Sequence, residues 1–587
     1  MKVSSKKLLV VSNDKELWDE SRSMLFLGEW CNLYKDFEQN KGLNIKIHPH
    51  HWVDKKKQEI DYKILDDIYE QKLFDLSNTL SEIHNLKFDI RYWRIIIGPW
   101  LKFFIDAVYD RYESVRTAID YNEIDSTYIF DYNIDDYVPN DFIEFYDHLR
   151  FDDWNQIIFF ELIKEFNIPY KKISKINLIN HKINTQKQLV KDKFRNLLYS
   201  VNNMFSNYFN DIVFFELYVH YSKLFRLQFK LGQLPYIGEK SISSSNRKTD
   251  FDKRKKINFP RTNEKFSEFL NNQIINFIPR IYLENFKEIK NKVLNKFPKK
   301  PKLIVTANAY QSNDSFKIWS AHHTQKKVPL IIHQHGGTFG ISKFNQTECH
   351  QLKISDNFIS WGWKKENYSN IKRLPALKIN TNKINYNKVN GDILLTLAST
   401  PRYFYNFFGI SNGPEFLDYI EDQKQFIKCL DKKVVSKLKI RSDSFEFGWE
   451  INSRISEVID SSKFESSKLD LRSRFKSCKI CISTYNATIF LESLSANIPT
   501  IVFFNIEQSQ IRKDAVVYID QLKKVGIFHD SPKSAADFLN KIESNIEGWW
   551  QSSDVQNTVV SFGNKYVYKS PNWKEEWVEF LKEKKHD

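Results

Sequence analysis

The chain has 587 residues, with 88 Lys and Arg against 73 Asp and Glu for a formal net charge of +15. That length excludes a single compact core and asks for two or three domains. A hydrophobic share of 41%, with 47 Phe, 28 Tyr and 14 Trp, excludes wholesale disorder, and 16 Gly and 16 Pro without an internal period exclude a collagen-like or solenoid chain.

The basic excess suits a phosphate-bearing partner, and its scatter along the chain reads equally as compositional bias. Five cysteines at irregular spacing, Cys31, Cys349, Cys429, Cys478 and Cys481, point to a reducing compartment. Cys478 and Cys481 form a CxxC without a second pair, which is weak as a zinc or redox motif. The basic start "MKVSSKKLLVVSND" has too short an apolar run for a signal peptide, and no stretch has the ~20 apolar residues of a membrane-spanning helix.

In chain order, "KLLVVSND" (7–14) predicts a short buried strand ending in turn residues, followed by a helical connection and a strand at "LNIKIHPHHWVD" (43–54). From about 55 to 300 long apolar side chains recur at helical spacing, with a strand signal near "STYIFDYNI". Within this region the basic, Ser-rich stretch 239–265 reads as an exposed loop. At 301 strands return: "PKLIVTAN", a helix with Asp314 as its cap, "VPLIIHQHGGTFG" breaking into a Gly-rich turn, and "NFISWGW". A polar boundary near 385 opens a second α/β unit running to about 550, and an amphipathic helix closes the sequence.

Three places carry chemistry. In "CKICISTYNATIFLESLSANIPTIVFF" a strand ends at Ser483, Thr484 and Asn486 and a helix begins. A helix start offers unpaired N–H groups and a positive dipole end to a phosphate, and the polar cluster reads equally as a plain cap. The helix stops at Asn497, a residue that tolerates the left-handed conformation, and Pro499 starts the next strand. In "HQHGGTFG" His333 and His335 can move a proton, and Gly336 and Gly337 allow close backbone approach. Zinc is the rival there, without a supporting motif, and structural histidines are a further reading. Arg402 and Arg441 follow strands where a diphosphate would want guanidinium groups, and each reads equally as a surface ion pair.

The run "ESLSANIPTIVF" resembles the Glu-x-Leu-x-x-Gly-x-Pro pattern in the C-terminal domain of GT-B glycosyltransferases, in register at Glu492, Leu494, Asn497 and Pro499. "LIVTAN…HQHGGTFG…SDNFISWGW", with "LFLGEWC" and "HHW" near the start, resembles surface-carbohydrate and capsule transferases. The resemblance implies an α/β GT-B fold of two Rossmann-like domains facing a cleft. Residues 1–385 would form the acceptor-side domain with a helical insertion at about 55–300. Residues 386–550 would bind the nucleotide sugar, and 551–587 would pack back on the first domain.

Glu492 would bind the ribose, and Ser483, Thr484, Asn486, Gly336, Gly337, Arg402 and Arg441 the rest of the donor. Glu29, His333 and His335 would be catalytic, with Trp30, His51 and Trp52 on the acceptor side. Tyr485 stands where many retaining members carry a second glutamate, which leaves the stereochemistry open. The implied partners are a nucleotide sugar, a CMP-activated acidic sugar of Kdo or nonulosonate type with UDP- and GDP-sugars as rivals, and a surface glycan or glycolipid. No metal and no cofactor is expected, and the setting is cytoplasmic with contact at the inner membrane face. A CDP-polyol phosphotransferase of teichoic-acid type is the alternative within enzymes, and a basic nucleic-acid-binding protein the alternative outside them. The latter needs clustered Lys and Arg with interleaved aromatics or a known module, neither of which the sequence offers, so no nucleic-acid partner is expected.

Overall fold

The computed structural model describes residues 6–36, 40–121, 123–174, 209–243, 248–379, 384–385, 390–443, 445–465 and 470–586. Every strand pair registered in it is parallel. Two compact units form: one from Met1–His333, Lys353–Asn357 and Val578–Asp587, the other from Gln334–Leu352 and Phe358–Trp577. The division thus falls after His333, whereas the sequence suggests a boundary near 385, most of whose residues (380–383 and 386–389) lie outside the described set.

In the first unit, β1 (Lys7–Val10), β2 (Met24–Phe26), β3 (Ile45–Ile47), β4 (Ile124–Phe130) and β5 (Tyr170–Ile173) form a sheet in the order β3-β2-β1-β4-β5. The segment expected to be a helical connection after β1 contains β2 instead. Its "MLF" is wholly buried between neighbours and too short for a helix of its own.

Two long helices, α1 (Lys55–His84) and α2 (Ile90–Tyr121), carry the chain from β3 to β4. The 55–300 region is therefore helical but not helical alone: β4 and β5 complete the first sheet, and β6 (Ile212–Phe215) pairs with β7 (Leu303–Thr306), which pairs with β8 (Leu330–His333). Asp54 caps α1 with its carboxylate on the amides of Lys56 and Lys57. Arg94 of α2 grips Glu70 of α1 through two bonds of 2.8 and 2.7 Å, and Lys353 adds a third at 2.7 Å.

Part of the Ser-rich stretch 239–265 lies outside the described residues, and part is fixed. Arg254, 1% exposed, bonds Glu284 at 2.7 Å and the carbonyls of Ile275, Asn276 and Ile278. The helix Asp314–Thr324 is capped by Asn313 rather than Asp314, whose carboxylate turns inward to Lys317 and the Tyr282 hydroxyl. In the closing helix, Lys585 pairs with Asp211 at 2.9 Å.

The second unit holds the parallel pair β9 (Asn357–Ser360) and β10 (Ile371–Arg373) and a six-stranded sheet. Its strands are β11 (Asp392–Thr396), β12 (Leu438–Arg441), β13 (Phe464–Glu465), β14 (Cys478–Ser483), β15 (Thr500–Phe503) and β16 (Phe528–His529), in the order β13-β12-β11-β14-β15-β16. This is the doubly wound order of nucleotide-binding sheets: the chain winds outward from β11 through β12 and β13, then returns to β14 and winds the other way. Helix α3 (Phe416–Lys428) lays Phe416, Ile420 and Phe426 into the core on one sheet face, beside Ile393, Leu395, Ile480 and Ile482.

Burial holds the imidazoles of His48, His51 and His84 down at about 4, against roughly 6.5 in an unfolded chain. A depressed value means that the unfolded chain takes up the protons first, so stability present above ~6.5 is lost as pH falls towards the folded values. Scanning calorimetry should show the unfolding temperature dropping from pH ~6.5 downward, before the ordinary carboxylate range is reached. A flat profile over that interval contradicts these burials.

Candidate functional site

The sheet register sets the site in the second unit. Thr396 lies opposite Arg441 on one side and Ser483 on the other, and Ser483 lies opposite Val502. The carboxyl ends of four neighbouring strands thus finish in one row. The gap between β11 and β14 is the switch point, where the following segments leave in opposite directions. The space beside it, lined in part by Tyr419, Thr484, Tyr485 and Asn486, is a narrow crevice of about 10 Å³.

That crevice is laced by one side chain that sequence reasoning missed. The Tyr419 hydroxyl of α3 accepts from the Ala398 amide at 2.8 Å and donates to Thr484 Oγ1 at 2.6 Å, and Thr484 donates to the Thr396 carbonyl at 2.8 Å. Thr484 thus accepts one bond and donates one within the protein, so its hydroxyl proton is already committed. Nothing in the local pattern marks Tyr419, because its partners come from other segments of the chain.

Its neighbours differ. Ser483 and Asn486 are 0% exposed. One end of the Asn486 amide bonds Ser342 Oγ at 2.9 Å, and its other polar atom and Ser483 Oγ have no partner among the described residues. A serine hydroxyl serves either end of an amide, so one end is left over in either orientation. Buried polar atoms without partners are costly, and a water, an ion or a ligand group at this place would satisfy them.

Helix α4 (Thr488–Ser495) then begins at Ala487 with no side-chain cap. Its end is as predicted: Asn497 has φ 58°, and the amides of Asn497 and Ile498 bond back to Leu494 and Ser493. The thiols of Cys478 and Cys481 in β14 are buried, which pushes them up, Cys478 to about 12, and neither belongs to a cluster of metal-ligating groups among the described residues.

The structure brings the Gly-rich turn to the start of α4, about 150 residues later in sequence. The Gly337 amide donates to Thr488 Oγ1 at 2.8 Å, and a Cβ on Gly337 would stand 2.2 Å from the Ala487 carbonyl carbon. The close approach that the glycine pair signals is therefore made, in Gly337, to the protein's own backbone. Gly336 lies beside the same threonine, with room for a Cβ at 3.4 Å from its hydroxyl. Gln334 stiffens the turn, accepting from the Trp361 amide and the Trp363 indole and donating to the Gly336 carbonyl. His335 is half-buried with Phe339 edge-on at 5.3 Å. His333, 1% exposed, ends β8 in the first unit.

Arg402 is buried and donates to the Phe447 carbonyl at 3.3 Å. Arg441 stands 3.9 Å from Glu465, whose carboxylate is held more tightly by Arg474 at 2.8 Å. Glu492 pairs with Lys378 at 3.5 Å, and burial pushes its carboxyl up while that ammonium pulls it back. Tyr485 packs against the core.

In the first unit the expected acceptor-side residues scatter. Glu29 opens a short turn after β2, not after β1 as the sequence suggests. Trp30 is 1% exposed, donates to the Val11 carbonyl and stacks on Phe159, and Trp52 is 0% exposed with its indole on Asp61. Both rings are core groups with no face for a sugar, which corrects the acceptor-side expectation for them. His51 turns inward to Asp110 at 3.2 Å, where His50 also bonds at 2.7 Å. Among the described residues this trio is the set able to hold a metal ion, with ligand atoms within 4.8 Å of one another. Arg111 takes the other Asp110 oxygen at 2.9 Å, so the carboxylate is already neutralised by a buried cation.

Two sheets in the doubly wound order, one with buried unpartnered polar groups at its switch point, define an α/β protein built to hold a ligand at strand ends. The chain matches the LIC12162 family transferase model over residues 7–581 and belongs to that family. No curated protein matches it significantly. Among solved structures, Anabaena Alr3699/HepE in complex with UDP and glucose is 10% identical with a TM-score of 0.36, covering 64% of this chain and 99% of that one. The spinosyn rhamnosyltransferase SpnG, complexed with spinosyn aglycone, is 9% identical with a TM-score of 0.28, covering 51% and 80%. WaaG, a glycosyltransferase involved in lipopolysaccharide biosynthesis, is 8% identical with a TM-score of 0.26, covering 51% and 95%. At these scores the likenesses carry no argument, and membership of the family rests on the sequence match.

Two substitutions check this geometry. Tyr419→Phe removes the hydroxyl that serves Ala398 and Thr484 and should cost about 1–3 kcal/mol in a denaturant melt. Gly337→Ala should cost more than about 2 kcal/mol, because backbone rather than a flexible side chain stands in the way. Wild-type stability in either variant contradicts the contact it tests.

Proposed function

We propose that this transferase is a nucleotide-sugar-dependent glycosyltransferase of GT-B plan, with the donor nucleotide bound at the switch point of the second unit. The observation that carries the reading is the pair of buried, unpartnered groups, Ser483 Oγ and the free end of the Asn486 amide, at the carboxyl ends of a doubly wound sheet beside an uncapped helix start. Hydroxyl, amide and helix N–H groups together solvate a phosphate without a metal. Arg441 ends β12 and Arg402 lies on the segment that follows β11, and they supply the guanidinium charge.

Glu492 is the group for the ribose hydroxyls. Its raised pKa fits a carboxylate that has lost water and gains from donors brought by a ligand. His335, next to the turn that touches α4, serves the charge on the departing phosphate, with His333 as its companion in the sequence. Glu29 is the proposed base for the acceptor hydroxyl, with His51 on that side. Stabilising the charge on the leaving phosphate should contribute more to the rate than any other single effect. The donor proposed is a CMP-activated acidic sugar and the acceptor a surface glycan or glycolipid met at the inner membrane face. The five free cysteines fit a reducing compartment.

A thermal-shift panel of CMP, CDP, UDP, GDP and their sugars should give a stabilising nucleotide, since a ligand at about 100 times its Kd adds roughly 2.7 kcal/mol. Glu492→Ala should weaken that nucleotide about tenfold or more by calorimetry, the loss of one or two charge-assisted bonds, while the fold survives. Turnover should withstand EDTA. Absence of any nucleotide effect, or activity abolished by EDTA and restored by zinc, contradicts the reading.

A further inference from the structure

A second pocket of the second unit shares no residue with the switch-point site. It has a volume of about 850 Å³ and is lined around Gly362, β10 and the end of helix α5 (Ser553–Tyr566). That is the size range of small-ligand sites. Five of its twelve lining residues are cationic, Lys364, Lys365, Lys372, Arg373 and Lys565, and none is acidic. Across the whole chain Lys and Arg outnumber Asp and Glu only 88 to 73, so a lining with five cations and no acid is not the average composition repeated.

Aromatic rings, more than carboxylates, hold these cations. The Arg373 guanidinium lies 3.7 Å over the Tyr568 ring, Lys365 lies 5.2 Å from the Tyr368 ring, and Lys565 lies 5.7 Å from the Tyr518 ring. Lys365 alone has a carboxylate near, Glu348 at 3.4 Å, which also faces Arg512. Lys364 and Lys372 are exposed and make no ion pair among the described residues. Gly362, at φ 130°, lets the end of α5 close the floor: a Cβ there would meet the carbonyl oxygens of Asn564 and Lys565 at 2.7 Å.

Like charges gathered in one depression repel unless an anion joins them. Ring contacts fix the direction of a cation without neutralising it, so its charge remains for a ligand. We propose that this pocket binds a ligand bearing two or more phosphate charges, with Arg373 as the fork for one phosphate and Lys364 and Lys372 as its counter-ions. The same chemistry is offered by an anionic lipid headgroup and by a free polyphosphorylated compound.

The test uses the full chain in two arms: flotation with phosphatidylcholine vesicles with and without phosphatidylglycerol, and calorimetry with inorganic tripolyphosphate. Wild type should bind in at least one arm, more weakly as salt rises. Lys364→Glu with Lys372→Glu should weaken that binding by at least about tenfold, the loss of one charge-assisted contact. The control pair Lys432→Glu with Lys476→Glu, of equal charge change outside the pocket, should not. Stabilisation by nucleotides should be the same in all three proteins, so this test is independent of the donor site. Binding in neither arm, or equal loss in the control pair, overturns the proposal. Binding to vesicles alone assigns a headgroup, and binding to tripolyphosphate alone assigns a free ligand.

Discussion

Parallel pairing of β11 with β14 is the constraint on which the second unit depends. It places Thr396 and Ser483 side by side at the same end of the sheet, with Arg441 and Val502 in the same row. Parallel strands need crossover connections, and crossovers that leave in opposite directions from neighbouring strands cannot fill the space between them. The crevice therefore follows from strand order and is not a local accident. Tyr419 keeps it from spreading: one hydroxyl, reached from α3, links the segment after β11 to the segment after β14. Thr484 is bonded on both sides in that link, while the adjacent Ser483 and Asn486 keep buried polar atoms without partners among the described residues. Two hydroxyl residues next to each other in sequence thus have different work, decided by what lies across the sheet.

What can be read from the sequence is what depends on near neighbours. The end of α4 at Asn497 and the start of β15 after Pro499 need only a few adjacent residues, and the structure has both. The strand before them, apolar at Cys478, Ile480, Cys481 and Ile482, is likewise set by its own composition. β2 escapes such a reading because three apolar residues fit a helix or a strand, and only pairing with β1 and β3 decides. The helices at 55–300 are visible, and so is the strand signal that becomes β4, but not that β5 and β6 lie among them, because membership of a sheet is a long-range property. Trp30 and Trp52 look like sugar platforms because tryptophan serves as core filler and as stacking surface alike, and only burial separates the two.

The site shows the same limit. That a glycine pair needs close approach is legible; that Gly337 approaches Ala487 is not, since the partner lies about 150 residues away. The polar cluster at 483–486 reads as half cap and half site. The structure divides it residue by residue: Thr484 is bonded on both sides, Ser483 and Asn486 keep buried polar atoms without partners among the described residues, and α4 has no side-chain cap. Glu492 has gained a partner that the sequence does not suggest, Lys378, whose ammonium opposes the upward push of burial on its carboxyl. The positive charge that seems scattered along the chain gathers in part around one pocket, because β10 and the end of α5 are neighbours only in three dimensions.

The central claim is that the nucleotide sits at the switch point of the second unit. Hydrogen exchange, followed by mass spectrometry with and without the best-stabilising nucleotide, tests it most directly, because amides covered by a phosphate or held by a rigidified turn exchange more slowly. The account predicts protection concentrated in 397–402, 441–448 and 483–490. Protection confined to the first unit, at the turns after β1 and β2, with no change at 483–490, would contradict it.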